Sequence, residues 1–124
     1  MPVVRSAEAD VHDLHGVRFA SYARTATGST ELCAWRGEIP AGTAGSAHTV
    51  TREEVFLVLS GTPCLTIDGE AHELSPGDVA TAPAGSLLAV ANPGEGPASV
   101  WVTTSVGVEA VFPDGSRVSP PWAR

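Results

Sequence analysis

Residues 42–61 read "GTAGSAHTVTREEVFLVLSG". The stretch opens on Gly42, passes His48, turns near Thr51-Arg52-Glu53, and enters the apolar segment 55–59 before Gly61. A short apolar run rich in Val, Leu and Phe and bounded by turn residues reads as a buried strand. Alternate residues of a strand share a face. His48 therefore lies with Val50, and Glu54 lies with Phe56 and Val58. Two polar side chains stand on faces that are otherwise apolar. If both faces point into one barrel, they converge there.

Turn signals continue outward at short intervals. Asp68-Gly69 sits between two alternating runs, the pattern of a tight hairpin that needs positive φ. Pro76-Gly77 suits a type II turn. Pro83-Ala84-Gly85, Asn92-Pro93-Gly94 and Pro113-Asp114-Gly115 mark further turns. The runs between them predict strands near 16–23, 31–39, 46–50, 53–59, 62–67, 70–74, 78–82, 87–91, 97–105 and 108–112. No segment sustains helical apolar spacing. Many short strands at this spacing predict an all-β sandwich or barrel. Residues 16–124 are read as the barrel domain. Residues 1–15 are read as an N-terminal arm, loose or packed on a partner subunit.

The chain has 124 residues, enough for one core. Hydrophobic residues make up 43% and charged residues 17%, which fits a packed protein and not a disordered one. The net charge is −7, and the seven basic residues, all arginine, are scattered from Arg5 to Arg124. Nucleic acid and anionic membranes both require clustered cations, so neither is expected as a partner. No apolar stretch has signal-peptide or membrane-spanning length. The expected location is the cytoplasm, with Cys33 and Cys64 as reduced thiols.

The glycines, prolines and polar residues of two segments carry a further pattern. Gly42 leads through five residues to His48; Glu54 and Gly61 follow at fixed intervals. Gly77, Pro83, Gly85 and Asn92 form a second such set within "GDVATAPAGSLLAVAN", residues 77–92. In spacing this pair of segments resembles the two motifs of the cupin family, over roughly residues 30–105. The resemblance implies a double-stranded β-helix, or jelly-roll, barrel and a homodimer. It also implies a metal held by three histidines and one glutamate, and here the chain departs. His48 and Glu54 are kept, but Val50 and Leu88 stand where the other two histidines belong.

A catalytic first-row metal normally has at least three protein ligands. Val and Leu offer none, so no cofactor is expected. A divalent metal would need donors recruited from outside the motifs to join His48 and Glu54. The two polar survivors are read instead as an acid/base pair for isomerase- or cyclase-type proton transfer, in a setting such as secondary metabolism. The alternatives are a metal-dependent oxygenase or isomerase with substituted ligands, and a ligand-binding module without catalysis. Parity nominates Cys33, Trp35, Val50, Phe56, Val58, Leu88 and Val90 as walls of a pocket for a small apolar or aromatic ligand, and Trp101, on a late strand whose facing parity does not fix, is added to them. His12, His15 and His72 are read as solvated. Trp122 is expected over the barrel mouth or against a second subunit.

Overall fold

A computed structural model of the chain describes residues 3–124. These form twelve strands and three single 3-10 turns. The strands are β1 (Asp10–Leu14), β2 (Val17–Ala23), β3 (Leu32–Ile39), β4 (His48–Val50), β5 (Glu54–Ser60) and β6 (Cys64–Ile67). They continue with β7 (Glu70–Glu73), β8 (Val79–Ala82), β9 (Leu87–Ala91), β10 (Ala98–Ser105), β11 (Ala110–Val111) and β12 (Arg117–Val118). One antiparallel sheet runs β1-β2-β3-β10-β5-β8 and the other β12-β11-β4-β9-β6-β7. From β3 to β11 the chain crosses between the sheets at every step except the β6–β7 hairpin, so it winds as a jelly-roll barrel, the fold that the sequence predicts.

Local chemistry sets the turns. Asp68 and Gly69 have φ of 49° and 84°, the positive pair that a two-residue hairpin between β6 and β7 needs. The Asp68 carboxylate also accepts the Leu87 N–H at 2.8 Å, tying the hairpin to the lower edge of β9. Gly61 closes β5 at φ 75°. A Cβ there would meet the Pro97 carbonyl oxygen at 2.6 Å, so only glycine fits the approach of the two chains.

The core lies between the sheets. On β3, Cys33, Trp35 and Ile39 turn inward. They meet Phe56 and Val58 of β5 and Val100 and Val102 of β10. From the opposite sheet come Val50, Leu65 and Leu88. The sheets are stitched at one end by Asn92, which is fully buried. Its side-chain nitrogen donates to the carbonyls of Ile39 and Gly96, both at 2.9 Å, and its oxygen accepts the Gly94 N–H at 3.1 Å. Its backbone forms an isolated bridge with Thr43.

The strand reading from sequence misses two elements. Residues 10–14, assigned to the arm, form β1 and pair with this chain's own β2. The boundary drawn at residue 15 falls in the β1–β2 turn. Their alternation is weak because β1 is an edge strand with little to bury. The short β12, after the Pro113-Asp114-Gly115 turn, carries only two residues.

Replacing Asn92 by Ala leaves buried carbonyls without donors. We expect a loss of about 1–3 kcal/mol per unsatisfied group in urea unfolding, with the fold retained. An unchanged midpoint would remove Asn92 from its role as the stitch.

Candidate functional site

The inner faces of the two sheets do not fill the barrel. A cavity of about 420 Å³ remains, within the range of small-molecule sites. The first sheet supplies Phe19, Trp35, Glu54, Phe56, Val100 and Val102. The second supplies His48, Val50, Leu88 and Val90. The C-terminal segment closes one side with Pro120 and Trp122.

Glu54 is the most unusual of these side chains. It sits at the start of β5, 6% exposed, opposite Ala82 on β8 and Thr104 on β10. Among the described residues no group hydrogen-bonds its carboxyl. The nearby Thr104 hydroxyl donates to the Glu53 carbonyl instead, at 2.6 Å. Burial disfavours the charged form and pushes the Glu54 carboxyl up to about 7. Cys33 lies close enough to feel it: burial first, and then the Glu54 charge, push the thiol up to about 11. That thiol stays neutral and is a poor nucleophile.

His48 stands on β4 in the opposite sheet, paired with Leu88 of β9. Its Nδ1 lies 3.0 Å from the Ser46 carbonyl. A carbonyl only accepts, so Nδ1 carries the proton and Nε2 of the neutral ring keeps its lone pair. The ring packs against Phe112, 5.7 Å between centroids. His48 and Glu54 line one cavity, as parity requires, but no hydrogen bond or ion pair joins them. The direct imidazole–carboxylate pair expected from sequence is not formed, because the two residues rise from facing sheets.

The other nominated residues divide. Trp35, Val50, Phe56, Leu88 and Val90 line the cavity. Cys33 and Val58 face inward as expected but are buried in the core beyond the cavity wall. Trp101 is corrected outright. Val100 and Val102 turn inward, so Trp101 lies on the outer face of its sheet, with its ring 5.3 Å from Tyr22. The histidines near the N-terminus are not simply solvated. His15, on the β1–β2 turn, stacks on Phe112 at 6.1 Å, and His12 lies 6.4 Å from Trp122. His72 is partly exposed, its ring 3.9 Å from the Glu70 carboxylate.

Sequence reasoning left out two aromatic walls, Phe19 and Phe112, while Trp122, expected over the barrel mouth or against a second subunit, closes one side of the cavity. Phe19 and Trp122 stack face to face at 3.8 Å, and Trp35 meets Trp122 edge-on at 6.4 Å. The Ser21 hydroxyl holds this arrangement by donating to the Trp122 carbonyl at 2.5 Å. Phe19 was within reach of parity, since it alternates with the exposed Arg18. Phe112 comes from a short terminal segment without periodicity, where no such signal exists.

The residues present do not fit a metal. Val50 and Leu88 bring buried hydrocarbon to the two positions beside His48 and Glu54. Among the described residues no group of three or more His, Cys, Asp or Glu is placed to hold one. The arrangement offers a desolvated carboxyl and an imidazole with a free nitrogen across an apolar space.

The raised carboxyl has a consequence for stability. Free glutamate ionises near 4.5, whereas folded Glu54 holds its proton to about 7. Between these values the folded state binds more protons than the unfolded one, so this group's contribution to stability falls as pH rises through the window. The loss is about 3 kcal/mol, complete above the folded value and absent below the unfolded one. Glu54→Gln should therefore match the parent in acid and exceed its stability in mild alkali. Urea unfolding of both proteins across this range checks it, and a difference independent of pH would count against the desolvated carboxyl.

The fold has counterparts among known proteins. A family model described as a cupin domain matches residues 35–105. No curated protein matches the chain. Among solved structures, an RmlC-like cupin from Shewanella frigidimarina superposes with a TM-score of 0.74 at 19% identity, over 85% of this chain and 90% of that one. A polyketide cyclase from Streptomyces resistomycificus gives 0.76 at 15% identity, over 85% and 79%. A cupin sugar phosphate isomerase from Silicibacter pomeroyi gives 0.65 at 19% identity, over 83% and 76%. At these identities the structures speak for the fold, and with the family model spanning more than half of its length, the chain belongs to the cupin family.

Proposed function

We propose that this cupin binds a small apolar or aromatic molecule in its barrel and moves a proton on it without a metal, as an isomerase- or cyclase-type enzyme. The observation that carries the reading is Glu54: a buried carboxyl, without a protein partner, on the wall of an apolar cavity. A general acid or base works best when its pKa lies near the operating pH, and burial brings Glu54 to that range. His48 on the facing sheet, with Nε2 free, supplies a second proton site. The polyketide cyclase and the sugar phosphate isomerase among the structural neighbours are compatible with such chemistry on this scaffold. The missing ligand set supports the metal-free form.

The setting we propose is a cytoplasmic homodimer. Among the described residues no helix is long and apolar enough to cross a membrane. The outer face of the first sheet carries Val11, Trp101, Leu57 and Val79 in register across its strands, interrupted by Ala20 and Arg36. Val11 and Val79 are more than half exposed. A second copy covering this face would bury it. Native mass spectrometry should give the mass of two chains, and Val79→Glu should give one; a monomeric parent sinks the dimer.

Proton transfer is testable before the natural substrate is known. 2-Tetralone is a small apolar ketone whose exchangeable C–H groups are read by NMR in deuterated buffer. The parent protein should accelerate exchange over buffer. Glu54→Gln should remove the acceleration by about 100-fold or more, and His48→Ala by about 10-fold. Exchange no faster than buffer, or indifferent to Glu54, would defeat the catalytic reading and leave a binding module.

A further inference from the structure

We infer that the ligand is an uncharged phenol or enol: an aromatic or conjugated ring system with no phosphate, carboxylate or ammonium group, whose hydroxyl meets Glu54. The inference rests on the cavity being the ligand site.

Three features of the wall carry it. The first is charge. No arginine lines the cavity, and the chain has no lysine. Among the described residues the titratable side chains on the wall are Glu54, Glu109, His15 and His48; Glu109 is already paired with Arg117 at 2.9 Å, and neither histidine is a permanent cation. An anionic group placed inside would lose its water and find no fixed counter-charge, a costly arrangement.

The second feature is the surface offered to a ligand body. Trp35, Phe56 and Phe19 of the first sheet, Phe112 just after β11 and Trp122 of the C-terminal segment present aromatic carbon to the cavity. Rings seated among them gain edge and face contacts beyond those of a saturated body of equal size.

The third is the unmet hydrogen-bonding capacity of Glu54. Its carboxyl has no hydrogen-bond partner among the described residues and opens on the cavity, so whatever occupies the cavity supplies one. Facing this carboxyl are Cys33 on β3, whose thiol stays neutral, and Ala82 on β8. Thr104 on β10 spends its hydroxyl elsewhere. A hydroxyl on the ligand fills the gap, donating to the ionised carboxyl and also able to accept from the protonated one. An ammonium group would demand the ionised form alone, which burial disfavours.

Isothermal titration of the full chain near neutral pH with four matched probes tests this: 2-naphthol, naphthalene, 2-naphthoate and 2-naphthylmethylammonium. We expect 2-naphthol to bind at least about tenfold more tightly than each of the others. Glu54→Gln removes the negative charge but keeps an acceptor, so it should narrow the gap between naphthol and naphthoate. Should that variant fail to fold, the ranking on the parent protein decides alone. Naphthoate or the ammonium probe binding as tightly as naphthol would overturn the inference. So would naphthalene matching naphthol, or no probe binding at all. The outcome is separable from the catalytic reading. Naphthol ranking first without ketone exchange defeats catalysis and leaves the ligand class standing. Fast exchange with an ionic probe ranking first does the reverse.

Discussion

Two sheets that bury their inner faces against each other must be joined, and in this chain much of that joining falls to Asn92. Its side chain reaches from the end of β9 in one sheet to the Ile39 carbonyl at the end of β3 in the other. The same residue satisfies the Gly94 N–H and the Gly96 carbonyl, so the loop leading to β10 is fixed as well. Its backbone carbonyl accepts the Gly42 N–H at 2.8 Å, which fixes the entry to the 42–47 segment. That segment ends in His48. A buried amide has just enough donors and acceptors to organise three chain crossings at once, and no apolar residue could take its place. His48 itself is then held on the cavity wall by the pairing of β4 with β9.

Most of the strand layout is legible in the sequence because turns and alternation are local properties. Asp68-Gly69 and the Val55–Leu59 run lead to the hairpin and to β5 with few alternatives. Cys33, Trp35, Phe56 and Leu88 face inward as their spacing requires. Local signals fail at three kinds of place. Edge strands such as β1 bury so little that they leave no alternation. Trp101 lies in a run with apolar residues on both sides, so its facing depends on which side the partner strands leave open. The boundary between core and cavity is not local at all. Cys33 and Val58 share faces with cavity residues, yet the facing sheet fills the space above them.

The state of Glu54 also lies beyond the sequence. Parity puts it inside, and nothing in the residue order says whether His48 or Thr104 will meet its carboxyl. The fold sends His48 to the Ser46 carbonyl and Thr104 to the Glu53 carbonyl. Glu54 is left to solve its burial by holding a proton. A carboxyl that holds its proton up to about 7 costs far less in that form than a buried charge, and it can still give the proton up. The price is a stability that declines as the medium becomes more alkaline.

The separation of His48 from Glu54 bears on the chemistry. A hydrogen-bonded pair would act as one relay, passing a proton back and forth along a single line. Groups on facing sheets can instead approach a bound molecule from two sides. Moving a double bond or closing a ring requires removal of a proton at one atom and delivery at another, and two independent groups suit that division better than one coupled pair. On the proposed reading, Val50 and Leu88, at the positions where the family's pattern has histidines, have a role in this. A metal would bind His48 and Glu54 together and fix the charge of both. Hydrocarbon beside them keeps water scarce and gives the ring system between them a dry wall to lie against.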